Sequence, residues 1–451
     1  MNIIVALLIF TVIVVAHEFG HFIFAKKNGV GVPEFSVGMG PRIITFAKTK
    51  EKPMFKFFCS QKVFEQTEEW KDVTKYSWKL FPIGGSCAMI GEDEENDAED
   101  SFNSKGKWAR FTILFAGPFF NFILAFLVSI IILANSGIDY PIVDLVYENQ
   151  PASEAGIKKG DYIKSINGKK ISIGREVDTY LQLYSIDQDT IDIVIERDGK
   201  EKTIPVNTKY KTHLFGFSYS ASKTAGTDVS AVTMDKAFDK AGIRDGDKIL
   251  SVQGEKVSNG EELKNAMDKY NNGQSVTFEV ESKGEIKSYD ITPEEYETNL
   301  LGMYTSSDTK TDNPLEVLKY SVIEVKYWIV TTVRSLAQLI TQKISVKELS
   351  GPVGIVNTVG TVIDQSSSFG LKVVIINMLY MSVLLSANLG VMNLLPIPAL
   401  DGGRILFVII EAIRRKPIDR EKEGYINLVG FVLLMMLMVF VMYNDIVKIL
   451  H

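Results

Sequence analysis

The segment IIVALLIFTVIVVAHEFGHFIFA, residues 3–25, is a long apolar run that carries three ionisable side chains near its end. About 20 consecutive apolar residues allow a helix to cross the roughly 30 Å hydrocarbon core of a bilayer. The segment has neither a positively charged start nor a small-residue cleavage site, so it predicts a retained membrane span rather than a signal peptide. Ionisable side chains inside a span are costly, so His17, Glu18 and His21 indicate a metal ion or a water-filled cavity.

Three further apolar segments have the length of membrane spans, at residues 111–134, 373–395 and 426–443. Lysine and arginine residues follow the first span, precede the second, and lie between the third and fourth. The positive-inside rule places these flanks in the cytosol, so both termini and the long middle region are predicted to be extracytoplasmic. The chain is therefore predicted to be a polytopic α-helical protein of the cell membrane, with four transmembrane helices in contact with the lipid bilayer.

The remaining composition excludes several classes of protein. A net charge of −6 offers no basic surface of the kind that binds nucleic acid through its phosphates, so no nucleic-acid partner is expected. The two cysteines, Cys59 and Cys87, are far apart in the sequence and form neither a zinc knuckle nor a disulfide framework.

The region between the first two spans is rich in β-branched and aromatic residues interrupted by glycines. Residues 35–46 and 76–91 show this composition, which predicts short strands and tight turns rather than helices. We therefore expect β-hairpins within residues 35–91. Two placements remain open. The hairpins either re-enter the membrane, where protein or a wet cavity must satisfy their backbone, or form a small cytosolic element.

The middle of the chain contains an internal repeat. The pattern Ala-Gly-Ile-x-x-Gly-Asp-x-Ile-x-Ser begins at Ala155 and again at Ala241, an offset of 86 residues. Two copies of one small α+β module are therefore expected. The pattern resembles that of bacterial PDZ domains, and this resemblance implies a tandem pair at residues 141–222 and 223–306. Neither copy shows a clear carboxylate-binding loop, so both peptide binding and a spacer role stay open.

After the repeat, the sequence returns to the membrane. A polar linker is followed by apolar residues at helical spacing over 314–343, which predicts an amphipathic helix on the outer membrane surface or packed against the spans. The expected domains are a membrane part at 1–140, the two modules, a linker with this helix at 307–372, and a second membrane part at 373–451.

The pentapeptide His17-Glu18-Phe19-Gly20-His21 has the HExxH pattern. Residues four apart lie above one another on a helix, so both imidazoles can bind one Zn²⁺ ion. Glu18 then lies beside the metal, where a general base for a zinc-bound water belongs.

A catalytic zinc normally has three protein ligands and one open position, so a third ligand is required. The candidate is Asp401 in NLLPIPALDGG, residues 393–403, because it lies at the cytosolic end of the third span and so at the depth of His21. The alternative role of Asp401 is to cap a helix that begins at Gly402.

Four motifs together resemble the site-two protease family of intramembrane zinc metalloproteases, and within it the bacterial members that cleave membrane-bound anti-sigma factors. They are HEFGH in the first span, Ala116-Gly117-Pro118 with Asn121 in the second, SGPVGI at 350–355, and NLLPIPALDGG at the end of the third span. The resemblance implies that Asp401 is a zinc ligand and that Asn393 helps to hold the substrate backbone. It further implies that the hairpins pair with an unwound substrate around four glycines: Gly38, Gly40, Gly84 and Gly85.

The expected function is hydrolysis of peptide bonds within or near the transmembrane segments of single-span membrane proteins, on the cytosolic side of the bilayer. The resemblance implies regulated intramembrane proteolysis of an anti-sigma factor and also of signal-peptide remnants, with the PDZ pair as an outer gate. Two alternatives use the same residues or modules. One is a membrane zinc carrier, and the other is a catalytically silent PDZ scaffold.

Overall fold

The computed structural model describes residues 2–49, 52–60, 62–63, 67, 70, 73–92, 98–184, 189–222, 225–270, 272–305, 308–416 and 418–450. The chain separates into two compact units. One consists of Met1–Asp139 together with Asp308–His451, and the other of Tyr140–Ser307.

The first unit is largely helical. Its described part contains seven helices of ten or more residues: α1 (Asn2–Lys27), α2 (Lys107–Ser136), α3 (Pro314–Ile340), α4 (Pro352–Ser367), α5 (Leu371–Leu394), α6 (Asp401–Arg414) and α7 (Arg420–Leu450). Short 3-10 turns occur at Phe102–Ser104 and Val346–Glu348, and two-residue strands at Ile138–Asp139 and Asp308–Thr309 pair with each other.

Four of the described helices are long and apolar enough to cross a membrane: Ile3–Lys27, Lys107–Ser136, Leu371–Leu394 and Glu421–Lys448. Each contains nearly all of one predicted span. Their outward surfaces are apolar as well. In α7, only 11% of the 18 most apolar consecutive residues are buried within the protein. Helices that are apolar on their outer face suit a lipid environment rather than water.

Helices α1 and α2 approach closely at small residues. A Cβ on Gly20 would lie 2.7 Å from the carbonyl carbon of Ala116, so only glycine permits this crossing. The contact lies inside the HExxH sequence. It therefore places both histidines directly against α2.

Helix α3 packs against two of the span-length helices. Val325, Trp328 and Ile329 contact a cluster that includes Ala125 of α2 and Val383 of α5. Of the two placements predicted for this amphipathic helix, packing against the spans is the one observed. Helix α4 occupies part of the predicted linker, because burial of Val359 and Ile363 outweighs the weak helix propensity of its β-branched residues and glycines.

The region between α1 and α2 forms one sheet from β1 (Glu34–Lys48), β2 (Pro53–Phe57) and β3 (Lys75–Ala88), in the order β2-β1-β3. The pairing of β1 with β3 is irregular. Residues 34–37 of β1 pair with two parts of β3, residues 85–88 on one side and residues 75–78 on the other. Residues 44–47 of β1 pair with the free side of residues 75–78. Both long strands thus bend in the middle, as the two predicted hairpins require, and their halves interleave.

Glycines permit these bends. Gly38 and Gly84 have φ values of +83° and +73°, which L residues with side chains rarely adopt. Beside the bend, Arg42 donates two hydrogen bonds to the Glu34 carboxylate, at 2.7 and 2.9 Å. Burial alone would raise the pKa of Glu34, but the hydrogen bonds from Arg42 and Ser77 hold it below its ordinary value.

The second unit contains two similar modules, each with a four-stranded sheet. The first sheet comprises Tyr162–Ile166, Lys169–Lys170, Thr190–Arg197 and Lys200–Asn207, with helices Pro151–Glu154, Gly174–Asp178 and Tyr180–Leu183. The second comprises Lys248–Val252, Glu255–Lys256, Val276–Ser282 and Glu285–Ile291, with helices Ala237–Lys240 and Gly260–Tyr270. Smaller strand pairs are Leu145–Val146 with Met303–Tyr304, Phe217–Ser218 with Ala231–Val232, and Lys209–Leu214 with Glu294–Asn299.

The second module is inserted into the first. Leu301 and Met303, which follow the second module in the chain, pack into the core of the first. Phe215 and Phe217, which precede residue 222, pack into the core of the second. The two connecting segments, Lys209–Leu214 and Glu294–Asn299, pair as a ribbon that joins the modules.

This packing differs from the predicted division at residues 141–222 and 223–306, and the predicted end at 306 lies outside the described residues. A second pair of matching segments explains why the observed modules differ from the predicted division. The sequence Leu-Phe-Gly-Phe at 214–217 and the sequence Leu-Leu-Gly-Met at 300–303 are also separated by 86 residues. Each forms a strand in the other copy, so a linear division assigns both strands to the wrong module.

Candidate metal centre

Three side chains with metal-binding groups converge where α1 meets the start of α6. The Nε2 atoms of His17 and His21 are 3.2 Å apart. The Oδ2 atom of Asp401 lies 3.1 Å from His17 Nε2 and 3.4 Å from His21 Nε2. Both histidines are buried, with 7% and 6% of their surface exposed.

These distances fit a tetrahedral zinc ion. Ligands at 2.0–2.1 Å from zinc lie about 3.3–3.4 Å from one another in a tetrahedron, close to the three separations observed. The Asp401 Oδ2 atom is buried and has no hydrogen-bond partner among the described residues. A buried carboxylate oxygen without a donor normally costs free energy, and a cation at the centre of the three atoms would remove that cost.

The imidazole orientations are fixed by groups on α2. His21 Nδ1 lies 2.9 Å from the carbonyl oxygen of Ile113, so Nδ1 carries the proton and Nε2 presents a lone pair. His17 Nδ1 lies 3.3 Å from the amide nitrogen of Asn121, whose oxygen is buried without a partner among the described residues. When the Asn121 amide group is rotated by 180°, its oxygen accepts a hydrogen bond from His17 Nδ1–H. The Nε2 atom of His17 is then free to bind a metal.

Gly117 gives the imidazoles their space. A Cβ at this position would lie 2.6 Å from His21 Cε1 and 2.8 Å from His17 Cε1. Both values are shorter than a van der Waals contact between carbon atoms. The backbone of α2 therefore forms one wall of the metal centre.

Glu18 points towards the sheet. Its Oε2 atom accepts a hydrogen bond of 2.9 Å from the backbone N–H of Cys87 in β3. Residues 85–88 are an edge of the sheet, so this N–H points away from the neighbouring strand. The carboxylate beside the metal centre is thus within hydrogen-bond distance of an edge strand.

Both cysteines are free thiols and both are buried. Burial, together with the nearby Glu18 and Glu92 carboxylates, raises the pKa of Cys87, so this thiol is protonated at neutral pH. Among the described residues, the converging metal-binding atoms belong to His17, His21 and Asp401, so Cys87 contributes its backbone N–H rather than a sulfur ligand.

Asp401 is held by a compact turn between α5 and α6. Cβ atoms on Gly402 and Gly403 would collide with the backbone of residues 394–398, so the start of α6 packs directly on the turn. Arg404 forms an ion pair with Glu92, which follows β3. These contacts tie the carboxylate-bearing helix to the sheet that holds Glu18.

The other predicted site residues lie near this centre in the chain but are not ligands by geometry. Asn393 is the next-to-last residue of α5 and is half-buried, and its amide makes no hydrogen bond with the described residues. The four predicted glycines occur at the bends and close contacts of β1 and β3. The roles of these five residues towards a substrate stay predictions.

Sequence reasoning missed the supporting residues. The motif Ala116-Gly117-Pro118 with Asn121 does not by itself indicate that Gly117 and Asn121 contact the imidazoles. A further amide, Asn427 in α7, contacts the turn before Asp401 through the backbone N–H of Ala399, at 3.2 Å. An asparagine inside an apolar span was the available signal, because buried amides in a membrane require a partner.

Comparison with known proteins agrees with the geometry. The model of peptidase family M50 matches residues 5–61 and 55–437. The zinc metalloprotease RasP of Geobacillus kaustophilus is 29% identical over 469 residues, covering 99% of this chain and 98% of its own. A relative from Clostridium acetobutylicum is 29% identical over 448 residues, covering 99% of this chain and 97% of its own.

Among solved structures, an HtrA3 PDZ domain bound to a phage-derived ligand matches 20% of this chain and 91% of its own, with 20% identity and a TM-score of 0.18. The family match spans most of the chain, including His17, His21 and Asp401. The four apolar helices agree with a membrane protein. The chain therefore belongs to peptidase family M50, the site-two protease family, and is a zinc metalloprotease.

Proposed function

We propose that this protein is an intramembrane endopeptidase that hydrolyses peptide bonds within or near the transmembrane segments of other membrane proteins. The observation that carries this proposal is the cluster of His17, His21 and Asp401 between helices that are long and apolar enough to span a bilayer. A hydrolytic centre at such a position is suited to a membrane-embedded peptide.

In this proposal, Nε2 of both histidines and Oδ2 of Asp401 hold the zinc ion. When bound, zinc supplies Lewis-acid polarisation of a carbonyl group and of water. These three side chains would supply the number of protein ligands that is usual for a catalytic zinc site. Ile113 and Asn121 keep the two imidazoles in their metal-binding orientation.

Glu18 acts as the general base. It takes a proton from the water that attacks the scissile carbonyl carbon, and the new C–O bond forms as the carbonyl π electrons move onto oxygen. Glu18 then returns the proton to the leaving amine nitrogen as the C–N bond breaks. The hydrogen bond from Cys87 N–H holds the carboxylate in place before the reaction.

The substrate must be partly unwound, because every carbonyl of a helix in lipid is engaged in a hydrogen bond. We propose that edge residues 85–88 of β3 receive the released backbone by strand addition. The glycines at 38, 40, 84 and 85 allow the bends that bring this edge to Glu18. The amide of Asn393 makes no hydrogen bond within the described part of the chain, and we propose that it donates to a carbonyl of the extended substrate and accepts from its N–H.

The proposed substrates are single-span membrane proteins of the anti-sigma type and signal-peptide remnants. The protein is proposed to cross the cell membrane four times, with both termini and the repeated modules extracytoplasmic and the metal centre towards the cytosol. The two modules are proposed to be PDZ domains that restrict access to trimmed substrates. Membership of a protease family favours hydrolysis over a zinc carrier or a silent scaffold.

The test is cleavage of a single-span model protein in proteoliposomes. The wild type should cut within or beside the apolar segment, as mass spectrometry of the products will locate. Glu18→Gln should cut nothing, because an amide cannot accept the proton from water. Cleavage by Glu18→Gln at the wild-type rate, or cuts confined to soluble regions, would overturn the proposal.

A further inference from the structure

Helix α7 contacts the turn that precedes Asp401 through the side-chain amide of Asn427. The backbone N–H of Ala399 donates a hydrogen bond of 3.2 Å to Oδ1 of Asn427. Asn427 is the only residue with a polar side chain between Ile426 and Met442. A polar side chain in an otherwise apolar span is costly, so it indicates a specific partner.

The partner residue is in an unfavourable conformation. Ala399 has a φ of +73°, in the left-handed region that residues with a Cβ rarely occupy. Such a residue keeps this conformation only when its surroundings impose it. A hydrogen bond of 3.2 Å from the Leu400 N–H to the Ile397 carbonyl oxygen closes the turn around Pro398 and Ala399. The hydrogen bond to Asn427 is a further contact that holds Ala399 in this turn, two residues before the carboxylate of Asp401.

A second contact lies one helical turn further along α7. A Cβ on Gly430 would lie 2.7 Å from the carbonyl oxygen of Pro398 and 2.9 Å from its carbonyl carbon. Gly430 is buried although its neighbours in α7 are exposed. Asn427 and Gly430 are therefore on one face of α7, which packs directly on the turn at residues 398 and 399.

The far end of the same helix is anchored separately. Asp445 accepts hydrogen bonds from the backbone N–H groups of Gly351 and Gly354 at the start of α4, at 2.9 and 2.7 Å. Most of the surface between these anchors is apolar and exposed. The metal-centre end of α7 is thus held mainly by its contact with the turn.

We propose that Asn427 is a positioning residue for the zinc ligand Asp401, and that α7 is a brace which keeps Ala399 left-handed and so aims the carboxylate at the two imidazoles. The inference rests on the proposed role of Asp401 as a zinc ligand. Asn427 touches neither zinc nor substrate. It acts through the backbone of the turn.

The test measures zinc affinity in the full-length protein by competition with a chelator, and records the visible spectrum of the Co²⁺-substituted protein. Asn427→Leu keeps the side-chain size and removes the acceptor. It should weaken zinc binding about three- to tenfold, the range that one net hydrogen bond contributes to an equilibrium. The tetrahedral Co²⁺ bands should change in the same variant. Gly430→Ala should act in the same direction, because its Cβ displaces Pro398.

A rescue distinguishes positioning from general packing. Glycine adopts positive φ without penalty, so Ala399→Gly should restore zinc affinity in the Asn427→Leu background while changing little in the wild type. Asn135→Leu is the matched control, because the Asn135 amide donates to the carbonyl oxygen of Ile131 in its own helix and to no other part of the chain that the structure describes. It should bind zinc as the wild type does.

The outcomes are separable. If Asp401→Ala loses zinc affinity but Asn427→Leu does not, the inference about α7 is wrong and the proposed ligand set stands. If Asn427→Leu is weakened but Ala399→Gly gives no recovery, Asn427 contributes to packing and not to the conformation of Ala399. If Asp401→Ala binds zinc normally, the proposed ligand set itself fails.

Discussion

At the scale of single residues, the proposed metal centre depends on the absence of a side chain as much as on its proposed ligands. Gly117 presents bare backbone to both imidazoles, and a Cβ there would lie 2.6 and 2.8 Å from their Cε1 atoms. Gly117→Ala should therefore push the imidazoles out of position and weaken zinc binding about 10- to 100-fold, as loss of outer-shell support typically does. A chelator competition assay measures this.

The matched control for that substitution is Gly424→Ala. Gly424 is also inside a helix, and no heavy atom among the described residues would lie within 4 Å of its Cβ. Zinc affinity should be unchanged in this variant. Equal affinity in Gly117→Ala and the wild type would show that the imidazoles are less tightly confined than the structure indicates.

The sequence predicted the converging side chains but not their supports. HExxH has a fixed helical spacing, and Asp401 follows from the depth at which two spans end, so His17, His21 and Asp401 could be predicted together. The contacts of Gly117 and Asn121 depend on how α1 crosses α2. Nothing in the local sequence of α2 specifies which of its residues faces a particular imidazole.

At the scale of elements, α6 is fastened to α2 by a buried ion pair. Arg110 forms an ion pair with the Glu411 carboxylate, and Lys107 Nζ donates a hydrogen bond of 2.8 Å to the backbone carbonyl oxygen of Glu411. The two charged side chains are only 15% and 7% exposed. Arg110→Met should destabilise the protein by about 3 kcal/mol, because the buried carboxylate loses its cationic partner and keeps only the hydrogen bond from the Ile418 N–H.

A double-mutant cycle in detergent measures this coupling through thermal unfolding. Arg110→Met with Glu411→Gln should be less destabilised than the sum of the single changes, because the neutral amide no longer needs the guanidinium. Additive effects would indicate that the pair contributes no coupling.

The membrane-length helices were predictable from apolar length alone. Helix α4 was not predictable in this way, because its β-branched residues form a helix only through packing on α1 and α5.

At the scale of the whole molecule, the inserted second module determines which deletions preserve a fold. Leu214 and Glu294 are opposite each other in the connecting ribbon. Removing residues 215–293 and joining these two with Asn-Gly, a favoured two-residue hairpin loop, should leave the first module intact. Limited proteolysis of this deletion variant, with both membrane parts kept, should show a protease-resistant first module.

The contrasting variant removes residues 223–306, the predicted second domain. It removes nearly all of the second module and also deletes Leu301 and Met303 from the core of the first module, which should therefore unfold. Each lost core side chain costs about 2–5 kcal/mol, against a total stability of about 5–15 kcal/mol for a typical domain. If the first module resists protease equally in both deletions, its core does not depend on the returning strand. The repeat revealed two copies, but only tertiary packing reveals that they exchange strands.

The central claim is that His17, His21 and Asp401 hold zinc while Glu18 performs the chemistry. The most direct test is the zinc content of the purified full-length wild type and of four variants, measured by mass spectrometry. His17→Ala, His21→Ala and Asp401→Ala should each lose most of their zinc, whereas Glu18→Gln should retain the wild-type content and cleave nothing. Wild-type zinc in Asp401→Ala, or equal zinc loss in all four variants, would contradict this division of roles.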